Sequence, residues 1–371
     1  MLIIEDVKLD YDDVLIIPKR SKISSRSDVD INREYKFLHS GISWKGFPVI
    51  AANMDCTGTF FMAKVLAEEN MITCLHKYYE QEDLVDFFVK NQGLWKSVFY
   101  TIGTKQDDLK KLSSVKKRVK SVTGRDDFPT NLCVDAANGY TENFDCSVRK
   151  IRSIFPTSVL MAGNVVTPNM VEQLIQESGV DIIKIGIGPG QVCTTRITTG
   201  IGFPQLSSVL ECADAAHGLK GHICADGGCK HPGDVVKAFA AGADFCMLGG
   251  MLAGTDECEG EWEYDPKYDT IETSATKSIH DKIKIIPKAK SKLKFYGMSS
   301  ENAMDKYNGG LGEYRAEEGK EIWVDYKGPV KKVIQQIKGG VRSACAYVGA
   351  EKLKHLNKRT TFIRVNRVHS E

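Results

Sequence analysis

Charge of one sign is what this sequence most plainly lacks: across 371 residues, 50 Lys and Arg face 48 Asp and Glu, a formal net charge of +2. Nucleic acids and membrane surfaces draw on a basic excess, so neither is the expected partner. Long hydrophobic runs are missing as well, and no stretch approaches the roughly 20 apolar residues that span a bilayer. The opening MLIIEDVKLDYDD has acids where a signal peptide carries a basic flank and a longer apolar run. The 11 cysteines are odd in number, scattered and without repeated CxxC spacing. That pattern argues against a disulfide scaffold or a structural zinc site, and for a reducing, cytoplasmic setting. What is present is ordinary globular composition, 42% hydrophobic and 26% charged, enough for a large core.

Apolar, β-branched runs recur through the first two thirds of the chain, each followed by a polar stretch long enough for a helix. They are FPVIAAN from Phe47, MITCLH from Met71, SVFYTIG from Ser97, NLCVDAA from Asn131, SVLMAGN from Ser158, DIIKIGI from Asp181, HICADGG from His222 and DFCMLGG from Asp244. Helical patterns such as FMAKVLAEEN, NMVEQLIQESG and GDVVKAFAAGA lie between them, the last two closed by glycine. Continuous rather than alternating apolar runs suit parallel strands buried on both faces. The order predicts an α/β fold, a single-domain TIM (β/α)8 barrel with its core at about 45–254. Residues 255–294, acidic first and basic later, read as an exposed insertion that forms little core. An active-site flap over 295–327 and a C-terminal segment over 328–371 complete the division; within the latter, PVKKVIQQIKGG and AEKLKHLNK are expected as helices packed outside the barrel.

Nearly every run ends on a residue that can do chemistry: Asn53 and Asp55, His76 and Lys77, Gly103, Asp135, Gly163 and Asn164, Gly186 and Gly188, Asp226 to Gly228, Gly249 and Gly250. In TIM barrels these strand ends build the active site. The densest segment is KIGIGPGQVCTTR, Lys184 to Arg196. Its glycines expose backbone to a ligand or ion, while the spacing does not fit a dinucleotide fingerprint. Cys193 sits in a polar loop beside Thr194, Thr195 and Arg196, where a cation and loop amides favour thiolate; Cys133 and Cys246 instead read as buried structural thiols. Paired glycines in ADGGC (225–229) and LGGM (248–251) suit a phosphate approached by backbone N–H groups. Asp226 would repel that phosphate, and so reads as an acceptor for ribose hydroxyls or as a helix cap. Glu317 and Glu318 read either as solvated charges or as a carboxylate set over a purine, a choice left open at this point.

IGIGPGQVCTTR, ADGGCKHPGDVVKAFAAGAD, LGGMLAG, FYGMSS, EYRAEEGK and RTTFIRV resemble the IMP dehydrogenase and GMP reductase superfamily, and most of all its reductase branch. KLDYDDVLIIPKRSKISSRSDVD, AANMD, HKYY and DAANGY do so too, and the resemblance covers nearly all of the chain outside 255–294. Thr194, Thr195 and Arg196 follow the cysteine where the dehydrogenases carry an Ile-Thr-Gln pattern. The chain also has no room after the second β–α unit for the dehydrogenases' regulatory module. Three departures from the reductase pattern are the longer insertion, Gln191 in place of serine, and Ala344 and Ala346 where threonines are common.

The resemblance implies reductive deamination of GMP to IMP with release of ammonia, at the expense of NADPH and through a covalent cysteine adduct at purine C2. Cys193, Thr195 and Glu318 match the family's catalytic positions. Thr195, Asp226, Gly227, Gly228, Gly249, Gly250, Gly297, Met298, Ser299, Arg315, Ala316, Glu317, Glu318 and Gly319 match its nucleotide site. Ser25, Arg26, Lys77, Asp135, Ala136, Ala137, Ile187, Gly188, Met298, Tyr314, Arg315, Ser343, Ala344, Cys345 and Ala346 match cofactor contacts, the first and last groups supplied by a neighbouring subunit. Gly188, Gly190, Cys193 and Arg196 match a loop that binds a monovalent cation such as K+ through carbonyl oxygens, and the family implies a homotetramer. The competing readings are an IMP dehydrogenase without its regulatory module, a catalytically silent nucleotide-sensing barrel and, more weakly, a flavin-binding barrel.

Overall fold

All eight apolar runs are strands in the computed structural model, which describes residues 3–265, 289–310 and 312–366. They are β1 (Val49–Ala51), β2 (Ile72–Cys74), β3 (Val98–Ile102), β4 (Asn131–Asp135), β5 (Val159–Val165), β6 (Ile182–Ile185), β7 (His222–Asp226) and β8 (Phe245–Leu248). Every neighbouring pair is parallel and β8 pairs with β1, so the barrel closes in chain order. Side chains alternate between two cores, as the two-residue period of a strand requires. Ile50, Phe99, Cys133, Met161, Ile182 and Met247 fill the barrel, while Ala51, Leu132, Leu160, Ile183 and Leu248 face the helices. Both sets are apolar, hence the unbroken runs.

The outer wall is α1 (Phe60–Glu68), α2 (Gln81–Lys90), α3 (Gln106–Thr123), α4 (Glu142–Ile154), α5 (Pro168–Gln176), α6 (Gln205–Gly218) and α7 (Pro232–Ala240). Proline stands at the start of α5 and α7, where a missing N–H costs nothing. Helix α8 (Glu301–Asn308) belongs to the flap, and α9 (Val330–Val348) packs between α7 and α1 to complete the ring. PVKKVIQQIKGG is helical as expected, and α9 continues through Gly339–Gly340 to Val348. A Cβ at Gly340 would come within 2.9 Å of the Pro232 Cβ, so glycine there sets the close approach of α9 to α7. AEKLKHLNK is shorter than expected, a 3-10 turn at Leu353–His355 and one helical turn at Leu356–Arg359.

Two features lie outside the sequence expectation. An antiparallel hairpin, Arg33–Lys36 with Ser43–Gly46, plugs the barrel at the N-terminal ends of its strands. Its Tyr35 and Trp44 rings lie 4.9 and 5.5 Å from Phe245, and the Tyr35 hydroxyl donates to the Asp244 carbonyl at 2.8 Å. The described ends of the 255–294 insertion are also ordered. Strands β9 (Trp262–Tyr264), β10 (Lys290–Tyr296) and β11 (Glu321–Asp325) form an antiparallel sheet, so a boundary at 294/295 falls inside β10. Thr255, Cys258 and Leu293 are buried, because the sheet rests on the barrel rather than in solvent. The middle of the insertion, 266–288, lies outside the described residues.

Candidate active site

Beyond β6 the chain enters the loop from Gly186 to Arg196. Gly188 has φ of +86°, and a Cβ there would fall 2.4 Å from Arg196 Cγ, so the position needs glycine on both grounds. Arg196 folds back over it and meets the Asp10 carboxylate at 2.7 and 3.2 Å, which ties the loop to the N-terminal segment. The Cys193 N–H donates to the Gly190 carbonyl at 3.1 Å, closing a tight turn that leaves the thiol half-buried.

The thiol has a directed partner. Cys193 Sγ lies 3.2 Å from the Thr195 hydroxyl, which donates to Glu318 Oε2 at 2.9 Å. Thr195 therefore accepts on the sulfur side while donating to the carboxylate. Glu318 comes from the flap, 123 residues along the chain from Thr195, and backbone bonds hold it there. The Thr194 N–H donates to the Glu318 carbonyl at 3.1 Å, the Lys320 N–H to the Val192 carbonyl at 2.9 Å, and the Glu318 N–H to the Ser299 carbonyl at 3.2 Å. Gly297 and Gly319 permit this crossing: a Cβ on Gly297 would lie 2.8 Å from the Val192 oxygen, and one on Gly319 would lie 2.9 Å from the Ser300 nitrogen. Both are buried between backbones. The acidic pair divides its work, since exposed Glu317 accepts the Glu301 N–H at 3.1 Å and caps the start of α8.

The two glycine-rich strand ends face the same loop. Gly227 and Gly228 have φ of +89° and +86° and lie against Pro189. A Cβ on Gly249 would meet Met54 Sδ at 3.0 Å, and one on Gly250 would meet Gln191 Oε1 at 2.4 Å. Met298 and Ser299 are half-buried in the turn after β10, whereas Arg315 and Ala316 are exposed. Tyr314 is 85% exposed beside Arg315. Asp226 accepts from Asn164 Nδ2 at 2.9 Å and lies 3.3 Å from Lys184 Nζ.

Lys184 joins the site, although its sequence position does not mark it as functional. Its ammonium, 2% exposed, donates to Asp135 Oδ1 at 2.6 Å and to Asn53 Oδ1 at 3.3 Å. Burial opposes the charge, but Asp135 and then Asp226 hold the ammonium well above its usual pKa. Burial likewise raises the Asp135 carboxyl, yet Lys184 and then Lys77 bring it below its usual value. The only hint in the sequence was a charged residue inside an apolar strand run.

The sequence marks Asp55 only as a strand end; its partners come from the flap. Its buried carboxylate accepts the Tyr296 and Tyr307 hydroxyls at 2.5 and 2.7 Å and Lys306 Nζ at 3.1 Å, and Tyr307 stacks on Tyr78 at 3.6 Å. This cluster seats α8 on the barrel mouth. Nearby, burial lowers the His76 imidazole to about 4, so it is neutral at pH 7.

The expected cofactor residues fall into two groups. Asp135 ends β4, and Lys77, Ala136, Ala137, Ile187 and Gly188 follow β2, β4 and β6 at the mouth. Ser25 and Arg26 form a turn packed on α9, the helix that carries Ser343, Ala344, Cys345 and Ala346. Among the described residues, no hydrogen bond or ion pair joins this second group to Cys193, Thr195 or Glu318. Within it the Cys345 side chain is buried in the core, where burial pushes the thiol up to about 12.

An IMP dehydrogenase / GMP reductase domain matches residues 8–370. The chain belongs to this family. Among the family's members it is 52% identical over 366 residues to a GMP reductase of Phytophthora infestans, covering 99% of this chain and 93% of that protein. It is 49% identical over 366 residues to GMP reductase 1 of Homo sapiens, covering 98% and 97%. The same figures describe its similarity to a GMP reductase of Vibrio cholerae. Among the described residues no helix is long and apolar enough to cross a membrane, and no group of three or more His, Cys, Asp or Glu is placed to hold a metal ion.

Proposed function

We propose that this chain catalyses the NADPH-dependent reductive deamination of GMP to IMP and ammonia. The observation that carries the reading is the line Cys193–Thr195–Glu318, with a half-buried thiol at one end and a carboxylate at the other. Cys193 sulfur attacks purine C2, and its proton passes through the Thr195 hydroxyl toward Glu318. The C2–N bond then breaks as the same relay returns a proton to the amino group, which leaves as ammonia while the C–S bond keeps the purine on the protein. Bound NADPH supplies the two electrons and the hydrogen that take the amine's place at C2. Cys193 finally leaves as thiolate and releases IMP. Dividing one difficult substitution into two easier steps is the benefit of covalent catalysis.

Asp226 would accept the ribose hydroxyls, and the glycines at 227–228 and 249–250 would bring backbone N–H groups to the phosphate. Lys77, Asp135, Ala136 and Ala137 would line the nicotinamide side. Their fit rests on the ionised Asp135, an acceptor at the mouth, and on the cationic Lys77 beside it. Ser25, Arg26 and Ser343–Ala346 would complete the cofactor site of a neighbouring copy, in keeping with their place on the outer wall, and the homotetramer is what the family resemblance implies. For K+, the loop of Gly188, Gly190, Cys193 and Arg196 offers main-chain carbonyls, a donor set of the kind alkali cations take. Arg196 could serve that role only through its carbonyl, because its guanidinium is itself a cation with no acceptor, and Asp10 neutralises it.

The test is NADPH oxidation with GMP, read alongside ammonia release. Wild-type protein turns over, and Cys193→Ala loses roughly 10³-fold or more while its melting temperature stays unchanged. Near-normal turnover by Cys193→Ala eliminates the covalent step. The same assay with IMP and NAD+ separates this reading from a dehydrogenase, and a colourless purified protein dismisses flavin.

A further inference from the structure

We propose that Lys184 is a positioning residue that couples the nucleotide side of the site to the cofactor side through one shared ammonium. Four observations carry the inference, which rests on the GMP reductase reading for the identity of the two ligands. Lys184 is 2% exposed, so protein groups rather than water must satisfy its charge. Its ammonium reaches three acceptors drawn from three strands or strand ends: Asp135 at 2.6 Å, Asn53 at 3.3 Å and Asp226 at 3.3 Å. The path is built for it, because a Cβ on Gly163 of the intervening β5 would sit 2.5 Å from Lys184 Cβ. Any larger residue there would block the side chain's route from β6 across β5 to β4. Finally, the two carboxylates it joins are not sealed: the Asp135 and Asp226 side chains keep 30% and 21% of their surface, so each retains a face for a ligand.

One positive charge therefore stands between two negative ones and leans toward Asp135. Ribose hydroxyls that donate to Asp226 would relieve its need for the ammonium and release Lys184 further toward Asp135. Conversely, removing the charge at 135 would send the ammonium to Asp226, where it competes with the ribose for the same oxygens. The two half-sites thus share one counterion, and occupancy of one alters the other without direct contact between their ligands.

The experiment titrates GMP into the full-length protein by calorimetry, with the KM for NADPH measured on the same samples. In Asp135→Asn, on the cofactor side, the dissociation constant for GMP rises by roughly 5-fold. In Asp226→Asn, on the nucleotide side, the KM for NADPH at saturating GMP rises by a similar factor. In Lys184→Met both cross-effects vanish, so adding Asp135→Asn to it leaves GMP affinity within about 1.5-fold. A merely structural lysine would lower the melting temperature without producing effects across the site. Should Lys184→Met fail to fold, the two aspartate variants still decide, because each leaves the lysine a partner. GMP affinity in Asp135→Asn within about 2-fold of wild type overturns the coupling, as does a cross-effect that survives the loss of Lys184. Active wild-type protein with unlinked aspartates sinks this inference alone. A wild-type chain that neither binds GMP nor oxidises NADPH sinks the reading beneath it as well.

Discussion

Buried charge appears at both ends of this barrel, and the two ends treat it differently. At the N-terminal end, fully buried Asp181 accepts from the backbone N–H groups of His39, Ser40 and Leu160 and pairs with Arg152 at 2.8 Å. Asp244 accepts the Ile223 N–H at 3.0 Å, meets the His217 ring at 2.9 Å and has His222 and Arg33 close by. The oxygens at this end are occupied by the protein's own chain. At the C-terminal end, Asp135, Asp226 and Glu318 keep part of their surface open, and buried Asn164 Oδ1 has no hydrogen-bond partner. A saturated carboxylate fixes backbone; an unsaturated one is available to a ligand. The barrel thus places folding charge at one end and chemistry at the other.

Variants that act at one end alone would sharpen this contrast. The largest effect is expected from Cys193→Ala, which removes turnover but leaves the melting temperature in place. Asp181→Ala should do the reverse. It removes the counter-charge of Arg152 and the acceptor of three backbone N–H groups, costing about 3–5 kcal/mol in a urea titration, while kcat/KM of the protein that remains folded is unchanged. If Asp181→Ala lowered kcat/KM as strongly as stability, the two ends would not be separate.

Glu318→Gln keeps the shape of the relay but loses its base, so turnover should fall by about 10²-fold with little change in stability. An acid titration of melting temperature addresses the other end. Burial raises the Asp244 carboxyl, but the hydrogen bond with His217 and the nearby His222 ring bring it well below its ordinary 3.8. A depressed folded value means its contribution is present above 3.8 and is lost as pH falls through the lowered value. His217 has the opposite sign: its hydrogen bond to Asp244 raises it above its ordinary 6.5, so that contribution is full below 6.5 and fades as pH rises through the folded value. Asp244→Asn should flatten both limbs, and a variant that kept them would place the titrating groups elsewhere. The smallest effect is Gly340→Ala, whose new methyl meets Pro232 at 2.9 Å. About 1–2 kcal/mol of stability should go, with turnover untouched.

The strands were legible because both of their faces are apolar, a pattern that survives in the sequence as unbroken runs. Cys193 stood out by contrast with its surroundings, and Thr195 and Glu318 by the family likeness. Their assembly was not legible, since it depends on backbone bonds between the 190s loop and the flap and on Gly297 crossing Gly319. Lys184 was hidden because its acceptors come from chain positions 49 residues before it and 42 after it, a juxtaposition only barrel closure creates. The plugging hairpin was missed because strands of four residues with alternating exposure leave no run to notice. Helix α9 runs on past PVKKVIQQIKGG because its close packing on α7 outweighs the low helix propensity of Gly339 and Gly340.

The most direct test is a rapid acid quench of enzyme turning over GMP and NADPH, followed by digestion and mass measurement of the peptide that carries Cys193. That peptide should gain the mass of GMP less ammonia early in turnover and lose it as IMP accumulates, with no gain in Cys193→Ala. Turnover with Cys193 unmodified at every time, or the adduct on another residue, would contradict the assignment of the sulfur at position 193 as the atom that holds the purine.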